Sequence, residues 1–82
     1  MPKDLVLNLK DHLPERGLLV STVFSPADRL AETMVFHADA KGRILNAGEP
    51  LYEERYSLDS SPEDLAAAHQ RIVERARAGE WR

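Results

Sequence analysis

Two short stretches limit what this chain can become: Ser21-Thr22-Val23-Phe24 and, a few residues on, Glu32-Thr33-Met34-Val35-Phe36. Both are dense in β-branched and aromatic residues, which suit a pleated, half-buried surface. They read as neighbouring strands, and nearly every other apolar residue reads as cover for them. In the run from Leu18 to Phe24, Leu18, Val20 and Phe24 share one parity while Leu19, Ser21 and Val23 share the other. Both faces are then partly covered, which predicts a central place in a sheet.

The flanking segments complete the layout. Leu5, Leu7 and Leu9 alternate as in a strand, although Leu5, Leu9 and Leu13 also suit a helix face capped by Asp4; the strand is preferred. Pro14-Glu15-Arg16-Gly17 is a turn. Ser25-Pro26-Ala27-Asp28 has the grammar of a helix start. A single helical turn ending near Leu30, then a strand from Glu32 to Ala38, is preferred over a helix from Pro26 to Met34. Asp39-Ala40-Lys41-Gly42 closes a hairpin with Arg43 to Asn46 as its return strand, interrupted at Gly48-Glu49-Pro50. Leu51 to Leu58 resumes extended structure, with Tyr52, Tyr56 and Leu58 on one side and Glu53, Arg55 and Ser57 on the other.

The last third carries the clearest signal. Ser61 caps a helix, Pro62 opens it, and Glu63 and Asp64 sit at its positive end. Leu65, Ala68, His69, Ile72, Val73 and Ala76 make an apolar stripe; Arg75 and Arg77 lie near the negative end, and Gly79 stops the helix. The alanines at 66, 67 and 68 predict a close approach to the sheet, and Trp81 is placed to fold back on the last turn or the sheet edge. The expected fold is α+β: an antiparallel sheet of three to four strands with one C-terminal helix packed on one face.

Length and charge then remove whole classes of function. Eighty-two residues give a single small domain spanning 1–82. A net charge of −3 argues against broad nucleic-acid binding, which requires a basic face. With no cysteine there is no disulfide framework, thiolate metal site or thiol nucleophile. Met1-Pro2-Lys3-Asp4 lacks the pattern of a secretory leader. The apolar run from Gly17 to Phe24 is far short of the roughly 20 residues that cross a membrane as a helix. A cytoplasmic protein without membrane contact is expected.

Catalytic grammar is sparse. His12, His37 and His69 include no pair at i, i+4, so no metal site is expected. His69 is expected to donate to a sheet carbonyl and His37 to bond locally to Asp39. Glu53 and Glu54 point to opposite faces of a strand and cannot share a site, and Glu63-Asp64 already serves the helix terminus. No serine stands in G-x-S-x-G, and no phosphate-binding glycine motif occurs. Neither an enzyme nor a cofactor is expected.

Charge placement says more. From Glu49 to Asp64, Glu49, Glu53, Glu54, Asp59, Glu63 and Asp64 face Arg55 alone, a net −5. From Leu65 to Arg82 the net is +2, through Arg71, Arg75, Arg77 and Arg82 against Glu74 and Glu80. An acidic strand beside an arginine-bearing helix is a candidate recognition surface, drawn from Glu49, Tyr52, Glu53, Glu54, Arg55, Arg71, Arg75 and Trp81. The plainer alternative is a solvated face with dipole matching, Tyr56 and Trp81 then belonging to the core.

The succession Ser21-Thr22-Val23-Phe24, Glu32-Thr33-Met34-Val35-Phe36, Glu54-Arg55-Tyr56-Ser57 and a helix with His69 and Val73 resembles a group of short, uncharacterised bacteriophage and prophage proteins. Members carry STVF or STVW, then ETMVF, then an acidic RYS or RYT piece, then a helix of the form E-E-A-x-x-G-H-x-x-x-V. The likeness runs from Leu19 to Arg77, with ETMVF its most specific block. Ser25 to Ala31 replaces the longer glycine-rich loop of the group, and Ala68 stands where the group has glycine. The resemblance implies a mobile-element origin and a strand–strand–strand–helix core, and transfers no functional residues. The resulting expectation is a non-enzymatic accessory protein that binds a host protein or complex. Inhibitors of host defence such as CRISPR are a subclass. The alternative is a self-assembling or virion-associated protein, with a homodimer as its simplest form.

Overall fold

The computed structural model describes residues 7–81. Its elements in order are β1 (Leu7–Leu13), β2 (Leu18–Ser25), a 3-10 turn (Pro26–Asp28), β3 (Leu30–His37), β4 (Tyr52–Arg55) and α1 (Pro62–Arg77). The four strands form one antiparallel sheet in the order β1-β2-β3-β4, and α1 lies across one face. This is the expected α+β layout, with four strands.

Register sorts the side chains into two faces. Val20 stands opposite Asp11 and Val35, Thr22 opposite Leu9 and Thr33, and Leu18 opposite Leu13. Those residues, with Tyr52 and Glu54 of β4, share the face toward α1. The core there is Leu13, Leu18, Val20 and Val35 beneath Ile72, Val73 and Ala76, flanked by Tyr52 and Trp81. A second cluster joins Phe24, Ala31 and Leu65, with Leu7 and Tyr56 against it. On the far face Leu19, Ser21 and Phe36 are also buried, so β2 is covered on both sides. Trp81 meets the edge strand, its ring 5.0 Å from that of Tyr52.

Several boundaries differ from the sequence reading, each for a local reason. Leu7 to Leu13 is strand; Leu5 and Val6, the Asp4 cap, the Met1–Asp4 leader reading and Arg82 lie outside the described residues. The turn after β2 is shorter than expected, because Arg29 takes a left-handed conformation (φ 57°) and β3 starts at Leu30. Ser25 makes no cap there; its hydroxyl donates to Asp28 at 2.9 Å.

The return strand Arg43–Asn46 reduces to one bridge between Ala38 and Ile44. The Asn46 side chain accepts from the His37 N–H and donates to the Glu49 carbonyl, turning the chain away from the ladder. Gly42 closes this turn with φ +85°. Leu58 does not share the face of Tyr52 and Tyr56: extension stops near Tyr56, and Leu58 is exposed in the turn that follows. The close approach expected of the alanines at 66, 67 and 68 is not made by Ala66 and Ala67, which are exposed. Leu65, His69, Ile72, Val73 and Ala76 are the buried residues, and only Ala68 of the three is half-covered.

Ile72 has no exposed surface, whereas Leu45 is 65 % exposed. Truncating Ile72 to alanine is expected to cost about 2–5 kcal/mol. Leu45→Ala should change stability by less than about 0.5 kcal/mol, both read from urea unfolding midpoints.

Candidate functional site

Five of the eight sequence-nominated residues meet along the seam between β4 and α1. Tyr52 and Glu54 alternate onto the helix side of β4, while Arg71 and Arg75, one turn apart, lie on one face of α1. Glu54 accepts from the Tyr52 hydroxyl at 2.7 Å and from the Arg71 guanidinium at 2.7 Å. The Arg75 guanidinium carbon lies 4.9 Å from the ring centres of both Tyr52 and Trp81. Arg75 also forms a two-pronged pair with Glu80. The result is a stack of two aromatic rings and a guanidinium, tied at either side by a carboxylate.

Proton affinities follow from that geometry. The Arg71 hydrogen bond, with help from Tyr52, holds the Glu54 carboxyl below its ordinary value against a smaller opposing effect of burial. Arg71 is pushed up by the same contact. Glu80 is lowered by Arg75, and Arg75 is raised by Glu80 and then Tyr52. Burial raises the Tyr56 phenol.

The other three nominated residues lie elsewhere. Glu53 and Arg55 pair with each other at 3.1 Å on the far face of the sheet, where Glu32 also approaches Arg55. Glu49 is exposed in the loop before β4, its N–H donating to the Asn46 carbonyl.

Beneath the seam runs a polar chain that sequence reasoning missed. The Asp11 carboxylate is 2.7 Å from His69 Nε2, and His69 Nδ1 is 2.6 Å from Thr22 Oγ1. Thr22 Oγ1 is 2.6 Å from Thr33 Oγ1, which accepts from the Tyr56 hydroxyl at 2.9 Å. His69 therefore does not donate to a sheet carbonyl; its two nitrogens meet a carboxylate and a hydroxyl, and the imidazole is buried. Only Thr22 and Thr33, each the second residue of its strand-rich stretch, marked this line in the sequence. Asp11, His69 and Thr22 have the order of a nucleophile triad. Thr22 has 0 % exposure and an oxygen already shared by two partners, so no substrate reaches it in this conformation.

The remaining two histidines lie apart from this line. His12 Nε2 lies 3.0 Å from the Asp39 carbonyl. Asp39 does not bond His37; its carboxylate accepts from Lys41 N–H and from Arg43 N–H and side chain, which lowers its proton affinity. Among the described residues no three histidines or carboxylates converge as a metal site, and no helix is long and apolar enough to cross a membrane. No protein family, curated protein or solved structure matches the chain.

Glu54 binds a proton less readily folded than unfolded, so its contacts favour folding above the glutamate range and cease to do so as pH falls through it. Wild type should therefore lose stability between about pH 5 and pH 3 more steeply than Glu54→Gln, measured by urea unfolding at each pH.

Proposed function

We propose that this chain is a non-enzymatic binding protein that acts by covering a surface of another protein, using the Tyr52–Glu54–Arg71–Arg75–Trp81 seam. The observation that carries the reading is the stack of Arg75 on Tyr52 and Trp81. Tyrosine, tryptophan and arginine are the side chains that most often anchor protein interfaces. Here they are held in place before any partner arrives, by Glu80, Glu54 and the core beneath, which reduces the ordering cost of association. The acidic stretch from Glu49 to Asp64 beside the helix arginines adds a two-signed pattern suited to orienting a partner. The resemblance to bacteriophage and prophage proteins makes a host protein the partner class, with a component of a defence system such as CRISPR as the narrower reading.

Self-assembly is the second reading, favoured by the outer edges of β1 and β4, which pair with no further strand among the described residues. Arg75→Glu is expected to reduce affinity for a stoichiometric partner isolated from bacterial lysate by at least about tenfold, equivalent to about 1.4 kcal/mol. Glu53→Ala, on the opposite face, should leave that affinity unchanged. A partner bound equally by both variants, or light scattering that shows only self-association, overturns the seam as the binding face.

A further inference from the structure

The open edge of β4 is complementary to itself. Across the β3–β4 ladder, Tyr52, Glu53, Glu54 and Arg55 stand opposite Val35, Met34, Thr33 and Glu32. The Tyr56 N–H continues the ladder by donating to the Ala31 carbonyl at 2.8 Å. In an antiparallel ladder, residues that bond to the partner strand alternate with residues whose N–H and carbonyl point away from it. Tyr52, Glu54 and Tyr56 therefore bond inward, and Glu53 and Arg55 offer their backbone groups to the open edge. The same two residues carry exposed charge there, with side chains 39 % and 76 % exposed.

A two-fold axis perpendicular to the sheet joins two such edges antiparallel, with both helices on one face. Opposite residues then share a face, so each register is centred on a residue. Centred on Glu53, that carboxylate meets its own copy; centred on Arg55, two guanidinium groups meet. Centred on Tyr52, the pairing runs into Pro50, which has no N–H. Centred on Glu54, Glu53 stands opposite Arg55 twice, at positions where both also exchange backbone hydrogen bonds, and Tyr52 stands opposite Tyr56 twice. Backbone parity and side-chain charge thus select the same register. The two Glu54 carboxylates meet at its axis, but each is already held at 2.7 Å by its own Arg71 and at 2.7 Å by its own Tyr52. The edge of β1 has no equivalent. Lys10 and Asp11 differ in parity, so no such pairing sets one against the other, and the central register sets Lys10 against Lys10.

We propose that the open edge of β4 pairs antiparallel with the same edge of a second copy of this chain, in the register centred on Glu54. This pairing gives the self-assembly reading one surface and one symmetry, and it rests on that reading rather than on the seam as a site for another protein. Five residues a side make a small contact, so the dimer is weak and reversible.

Sedimentation equilibrium on the intact chain at low salt tests the pairing. Wild type should dimerise reversibly below about 1 mM. Glu53→Arg sets arginine against Arg55 of the second copy, and Arg55→Glu sets glutamate against Glu53. The two-fold repeats each repulsion, so either variant alone should dimerise at least about tenfold more weakly. Each reversal moves the net charge of −3 by two, to −1 and −5, so no general attraction draws the two variants together. Mixed one to one, they place arginine against glutamate at both positions, and the mixed dimer should recover wild-type affinity to within about threefold. In wild type, hydrogen exchange at the Glu53 and Arg55 N–H groups should slow as concentration rises, a readout that needs no variant. Single variants that dimerise as wild type does, a mixture that recovers nothing, or a dimer whose Glu53 and Arg55 amides stay unprotected would each overturn the β4 pairing while leaving self-assembly through another surface in place. A chain that is monomeric at about 1 mM overturns both. Neither substitution alters Arg75 or Trp81, so the seam stands or falls separately.

Discussion

Everything in this fold depends on β2 being buried from both sides. Leu18, Val20, Thr22 and Phe24 lie under α1, while Leu19, Ser21 and Ser25 are also shut off from water on the far face. A strand covered twice cannot sit at an edge, so β1 and β3 must flank it, and both do so antiparallel through short turns. One helix then suffices for the α1 face, because its buried residues recur at the spacing that follows one side of the cylinder. Among the described residues no second helix covers the far face. Its inner residues are shielded instead by neighbouring strand side chains and by the 39–43 turn, which reaches His12.

The order of the strands and the helix was legible in the sequence because each rests on a local pattern: β-branched density, proline and glycine punctuation, and the Ser61-Pro62 start. Ser61 does accept from the Asp64 N–H, and Gly42 and Gly79 do take positive φ. Errors arose where a side chain substituted for backbone. Asn46 filled the ladder position expected of a return strand, and no periodicity announces an asparagine that bonds to the partner strand. The three alanines depart from expectation for a different reason. Small size permits close packing, but the phase of the stripe from Leu65 to Ala76 decides which face turns inward, and that phase leaves Ala66 and Ala67 outside.

The surface seam was half legible. Residue types nominated Tyr52, Arg75 and Trp81, and strand parity separated Glu53 from Glu54, with Arg71 taking Glu54 and Arg55 taking Glu53. The interior line was not legible, because its members are 11 to 58 residues apart in sequence and only register unites them. A threonine on a strand reads equally well as β-former or as hydrogen-bond donor until its cross-strand partner is known.

That line also explains why the packing is unique. Apolar rows tolerate slippage: moving β3 by two residues along β2 would still set one aliphatic side chain against another over much of the interface. Thr22 would then face Ala31 or Val35 instead of Thr33, leaving a buried hydroxyl with one partner fewer and cutting Tyr56 from the line. Shifting α1 along its axis would strip His69 of both Asp11 and Thr22 at once. A buried polar group left unpaired costs about 1–3 kcal/mol, a large share of the stability that a domain this small can muster. Among the described residues no buried side-chain nitrogen or oxygen lacks a partner, so the native arrangement avoids that cost. The same hydroxyls that fix β2 against β3, and the imidazole that fixes α1 against both, thereby hold Glu54, Arg71 and Arg75 in register on the surface above.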